Sequence, residues 1–286
     1  MRDQTVRYVN RAGNAIILQG DDKSFIDISQ LYDYTWDYKL VDSISGVGGD
    51  VTGFQHKARE ISLPVRIRGF SRSSFLKKMN DLHEMAEADV LNLTPGKLYV
   101  DSQYTVCYLV AGSISQMARN ANFATESITV LFAKPFWRTE KTYQFNKIED
   151  TEEDPESLGK KYNLRYPYRY GSGLAISSLR NTHYAECPAI ITIYGPVSNP
   201  LIQIASNTYN VDTVITATER LVIDQTTREI YIIGSSGTIT NKFNSRNKQY
   251  DIFKPVPVGE SQVLYSGEFM MTISLVEQRS QLKWME

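Results

Sequence analysis

Asp224 follows three apolar residues, Leu221, Val222 and Ile223, and precedes Gln225, Thr226 and Thr227. Its carboxylate therefore stands either at the end of a buried strand, where it could act as a general acid or base, or at the head of a turn. Glycan or peptidoglycan hydrolysis would need a second carboxylate or a histidine converging on it, and no motif in the chain supplies one. An aspartate at the first turn position accepts a bond from the backbone two residues on, so Asp224 is read as a turn acid. The stretch SGVGGDVTG, residues 45–53, has the glycine density of a phosphate cradle. It lacks the Lys-Ser/Thr pair of a P-loop, and no helix follows whose N-terminal amides could hold an anion. Gly46, Val47, Gly48, Gly49 and Asp50 are read instead as part of a mobile hairpin arm fixed by a partner surface, and as the best candidates for an intersubunit contact.

The remaining reactive side chains are scattered. His56, His83 and His183 form no HExxH or Cys/His grouping, and His183 with Cys187 four residues on does not make a zinc site. His83 reads as an ordinary residue flanking a helix stripe. No GxSxG or Cys/His signature supports nucleophilic hydrolysis. Cys107 and Cys187 are too few for a disulfide framework and read as reduced, buried structural thiols. The acidic run Glu149, Asp150, Glu152, Glu153, Asp154 and Glu156 lacks the glycine-turned ligand pattern of a calcium loop and reads as a solvated loop. Beside it KKYNLRYPYRY places Tyr166, Tyr168 and Tyr170 on one face if extended. That face suits either a glycan or a protein partner. No cofactor is expected.

With 31 basic and 32 acidic side chains the net charge is -1, which gives no general attraction for nucleic acid or an anionic membrane. No apolar run approaches the length of a spanning helix, and MRDQTVRYVN is no secretory leader, so assembly in a cytoplasm is expected. The 286 residues fit two domains, and 18 Tyr and 11 Phe among many Thr, Ile and Val favour pleated structure.

Those elements can be placed. In ISLPVRIR, residues 61–68, apolar and polar residues alternate, and Pro64 predicts an edge strand or a bulge. One helix is predicted from about 72 to 88, with Phe75, Met79, Leu82 and Ala86 as its apolar stripe and Ser71 or Ser73 as N-cap. Strands resume at LNL (residues 91–93), LYV, YTVCYLV and SITVLFA, ending at KPFW. After the irregular segment 149–173, short strands at regular spacing predict a second sandwich or barrel. The division expected is 1–136 and 137–286, with Trp137 and Trp284 helping to close a domain.

In order and spacing these phrases resemble the distal tail proteins of long-tailed phages, the siphovirus-type tail component family. The likeness runs through the glycine-loop hairpin, residues 59–63, Arg68-Gly69, the single helix and KPFW. It continues through YGPVSNP, ERLVIDQTTREI, TNKF, PVPVGES and the final strand toward KW, and so covers nearly the full length. The segment 149–173 departs from it, and is too short to be the carbohydrate-binding module inserted in longer members. The resemblance implies a mainly β fold, with an N-terminal β-sandwich or split barrel carrying one helix and a C-terminal galectin-like β-sandwich projecting outward. It implies a non-enzymatic baseplate hub: a hexameric ring at the virion tail tip that joins the major tail tube protein to tail-tip and receptor-binding or baseplate proteins. DNA would pass through its channel without specific binding, and no membrane partner is implied. The alternative is a carbohydrate-binding module for host cell-wall polysaccharide, with Tyr166, Tyr168 and Tyr170 as its platform.

Overall fold

The computed structural model describes residues 4–19, 25–44, 46–117, 122–148 and 175–284. The acidic run and the tyrosine-rich stretch, with Tyr166, Tyr168 and Tyr170, lie outside the described residues. The protein is mainly β and divides into two compact units, Met1–Thr139 with Gln278–Glu286, and Glu140–Glu277.

The first unit contains β1 (Val6–Val9), β2 (Ala15–Gln19), β3 (Phe25–Ile26), β4 (Asp37–Asp42), β5 (Gly49–Gln55), β6 (Arg59–Arg68), α1 (Arg72–Leu91), β7 (Gly96–Val100), β8 (Gln103–Met117), β9 (Phe123–Phe132) and the start of β10 (Trp137–Phe145). Antiparallel pairing runs β2-β1-β7-β8 on one side of its core and β3-β6-β9-β8 on the other. The 15-residue β8 serves both, pairing with β7 through Cys107 and with β9 from Tyr108. Register shifts at Leu109/Ala111 and Ile114/Gln116 bend it, as bulges do where a strand changes sheets.

Alternation works on β6 as expected: Ile61, Leu63, Val65 and Ile67 are buried and the residues between them are not. Pro64 is tolerated for a local reason. Its carbonyl accepts the Asp27 N–H at 3.1 Å, so its backbone points away from β9 and the missing N–H removes no bond from that ladder. The strand is an edge only in part, since β3 pairs with Val65 and Arg66.

Ser71 is the cap of α1, its hydroxyl accepting the Ser74 N–H at 3.1 Å. Phe75, Met79, Leu82 and Met85 are buried on the core side, with Ala86 packed at the margin. The helix continues to Leu91, so residues 91–93 are not a strand: the Asn92 N–H bonds back to Ala88 O, and Leu93 adopts φ 52. A three-residue apolar run carries no period that separates helix end from strand. Trp137 and Leu282 join this unit's core, Trp284 stacks on Tyr32 at 4.0 Å, and the Gln103 amide clasps the backbone of Lys283 through two bonds.

The second unit contains the rest of β10, then β11 (Ala175–Asn181), β12 (Ala189–Tyr194), β13 (Val197–Ser198), β14 (Leu201–Ile204), β15 (Asn207–Asn210), β16 (Val214–Ile215), β17 (Arg220–Asp224), β18 (Glu229–Ile233), β19 (Ile239–Asn241), β20 (Gly259–Tyr265) and β21 (Met271–Arg279). One sheet orders β19-β18-β17-β12-β21-β10 and the other β11-β20-β14-β15, both antiparallel. Ile191, Ile193, Leu221, Ile223 and Ile273 from the first sheet share one core with Leu179, Ile202, Ile204 and Val263 from the second, which makes a β-sandwich.

Candidate functional site

β4 and β5 pair with each other and with no other strand among the described residues. Cross-strand partners share a face, so Tyr38 with Phe54 and Leu40 with Val51 line one side, and Asp37 with Gln55, Lys39 with Gly53 and Val41 with Asp50 the other. The apolar side is uncovered, with Tyr38, Leu40, Val51 and Phe54 between 50% and 68% exposed. A lone two-stranded ribbon is marginal in water, and an exposed apolar face on it is of the kind found at interaction surfaces.

The sequence candidates Gly46, Val47, Gly48, Gly49 and Asp50 come together at the tip of this arm. Gly46 and Gly48 have φ of 72 and 70, a left-handed conformation that favours glycine. A Cβ on Gly49 would lie 2.8 Å from the Val41 carbonyl oxygen, so bulk there would part the strands. Ile44 and Val47 stand fully or mostly in solvent beside them. At the root, Lys57 pairs with Asp37 at 2.9 Å, and the His56 ring lies 4.8 Å from Trp36 and 5.1 Å from Phe136. The sequence reading named the tip and not the apolar face behind it.

It also missed Glu126. This acid is buried on β9 in a position that alternates with Ala124 and Ile128, and its Oε2 lies 3.3 Å from Nε2 of His83 on α1. Gly112 makes room for it, since a Cβ there would sit 2.0 Å from Glu126 Oε1. The pair opens into a groove of about 420 Å³ between α1 and β8–β9, walled by Leu82, Ala86, Val90, Leu109, Val110 and Ile128. His83 is therefore more than a flanking residue.

The other candidates are structural. Oδ1 of Asp224 accepts the Thr226 N–H and hydroxyl, each at 2.7 Å, and the Thr227 N–H at 3.2 Å, which is a turn acid. Asparagine keeps that oxygen, so Asp224→Asn is expected to change stability by under about 1 kcal/mol, whereas Asp224→Ala loses about 1–2 kcal/mol; thermal melts of the two variants check this.

His183 and Cys187 converge on Asn181, whose Oδ1 accepts the His183 N–H at 3.0 Å and the Cys187 thiol at 3.4 Å. Both cysteines are free and buried, and burial pushes the Cys107 thiol up and the Cys187 thiol up to about 11, away from reactive thiolate. No cluster of three or more potential metal ligands occurs among the described residues, and no helix there is long and apolar enough to cross a membrane.

The fold of the described residues, two β-rich units with helix α1 and the β4–β5 hairpin, is similar to that of phage tail hub and baseplate proteins. A chain of the phage P2 baseplate in its activated conformation with calcium is similar at a TM-score of 0.67 and 11% identity, over 99% of this chain and 100% of that one. The same baseplate with strontium gives 0.65 and 11%, over 98% and 99%. The SPP1 Dit protein, described as a paradigm of the hub adsorption apparatus in phages that infect Gram-positive hosts, gives 0.54 and 11%, over 96% and 99%. No protein-family model matches the sequence, and no curated protein matches it.

Proposed function

We propose that this chain is a structural hub of a phage or prophage tail tip. Copies close into a ring, six in this reading, that joins the tail tube to tail-tip and baseplate proteins and leaves a channel for DNA. The observation that carries the reading is the fold shared from end to end with hub and baseplate chains. The arm supports it independently. Its apolar face has no cover among the described residues, and repetition of one head-to-tail contact generates a closed ring when the rotation allows. In this role the second sandwich docks adhesion or other baseplate proteins, and the chain performs no reaction. It is made in the cytoplasm of the host bacterium and ends in the virion.

Native mass spectrometry of the purified chain, alone and mixed with the tube protein of the same particle, tests the reading. A discrete multiple of the chain mass that captures tube protein is expected. A species that stays monomeric and binds neither tube nor baseplate proteins contradicts it.

A further inference from the structure

We propose that the groove ending at Glu126 receives the turn carrying Phe70 and Arg72 from a second copy of this chain, so that helix α1 of one copy meets the next basic end to acidic end. The inference rests on the hub reading and names the contact that would build the ring.

Three observations lead to it. First, Glu126 lines the groove with its carboxylate almost wholly buried, the sealed Oε2 having no hydrogen bond and lying 3.3 Å from His83 Nε2. Exposed Glu87 adds a second acid to the same lining. Apolar walls around a carboxylate suit a cation brought in with an apolar companion.

Second, α1 is charged against its own dipole. Its bases Arg72, Lys77 and Lys78 all precede its acids Asp81, Glu84, Glu87 and Asp89, with no acid in the first turn and no base in the last. The dipole acts within the terminal turns, where Arg72 opposes it at the start of the helix. The same arrangement becomes favourable when a neighbour's opposite end is brought against it.

Third, the basic end has the matching shape. Phe70 is 86% exposed, the most exposed aromatic side chain among the described residues, and it stands two residues from exposed Arg72.

Charge decides between this occupant and the hairpin arm. Asp37 is paired with Lys57 at the root of the arm, and toward the tip Asp42 and Asp50 stand against Lys39, so the arm brings no net positive charge to the acidic groove. Within its own chain the turn does not fill the groove, since Phe70 and Arg72 are both exposed.

Arg72 and Glu87 are both exposed, so reversing their charges leaves the fold intact. Sedimentation equilibrium on the full chain is expected to show Arg72→Glu and Glu87→Lys each weakening self-association about 10-fold, and the double variant recovering to within about 3-fold of wild type. Wild-type association should fall as salt rises from about 0.05 to 0.5 M. Phe70→Ser should weaken association without altering charge. If rings form and the single variants associate like wild type, or the double variant is no better than either, the groove contact is wrong while the hub reading stands. A chain that stays monomeric at millimolar concentration overturns the groove contact, and the hub reading falls with it only if that chain also binds neither tube nor baseplate proteins.

Discussion

Asp89→Ala is expected to destabilise the first unit by about 3–4 kcal/mol, a loss of about 10 °C in melting temperature for a unit of this size. Asp89 is buried near the end of α1, where its carboxylate accepts the Tyr8 hydroxyl at 2.6 Å and the Arg11 N–H at 3.1 Å. It therefore ties the helix to β1 and to the turn that follows it. Removing the carboxylate strands two donors in a dry place, and each orphaned group costs about 1–3 kcal/mol. The site is closed tightly enough to keep water from taking over. A Cβ on Gly96 would lie 2.3 Å from the Tyr8 oxygen and 2.7 Å from Asp89 Oδ2. Burial, and then the bond to Asp89, push the Tyr8 phenol far above its ordinary range, so it remains a donor at any pH the fold survives. Tyr8→Phe removes only one bond and is expected to cost about 1–2 kcal/mol. Calorimetry on the variants decides; a loss below about 1 kcal/mol for Asp89→Ala contradicts this account of the helix anchor.

Replacing Tyr38, Leu40, Val51 and Phe54 together by threonine is expected to abolish self-association while leaving the free chain almost as stable as before. All four are at least half exposed, so they contribute little to the monomer, and threonine keeps the strand preference of β4 and β5. If a neighbour covers this face, losing four apolar anchors removes well over about 3 kcal/mol of binding, more than a 100-fold weakening. Light scattering over a concentration series reads the result, with a melting curve as the control for folding. Wild-type association by the quadruple variant removes the arm from the interface.

How much of this was legible beforehand follows from what each element asks of its residues. Strand β6 announced itself because every second side chain enters the core, and α1 because Phe75, Met79 and Leu82 fall on one stripe behind a serine cap. The arm was legible only at its glycine tip. Its apolar face breaks the two-residue period, because the register shift between Lys39 and Leu40 makes Thr52 an extra residue and leaves Val51 and Phe54 three apart. No test of simple alternation finds such a face. Glu126 left a readable signal that was passed over. It occupies an inward position in FATESITVLF, among Ala124, Ile128, Val130 and Phe132, where an acid requires a partner. His83 could not be named as that partner from spacing, because the two residues meet only when α1 packs on the sheet. Asp224 was legible throughout, since an aspartate turn is made by residues two and three apart in sequence.

Labelling this chain in the intact particle and imaging it by electron microscopy tests the hub proposal most directly. The account predicts a closed ring of copies around the tail axis at the junction between the tube and the tip, with the channel open through it. Label found elsewhere on the particle, absent from it, or scattered as single copies without a ring would contradict the account.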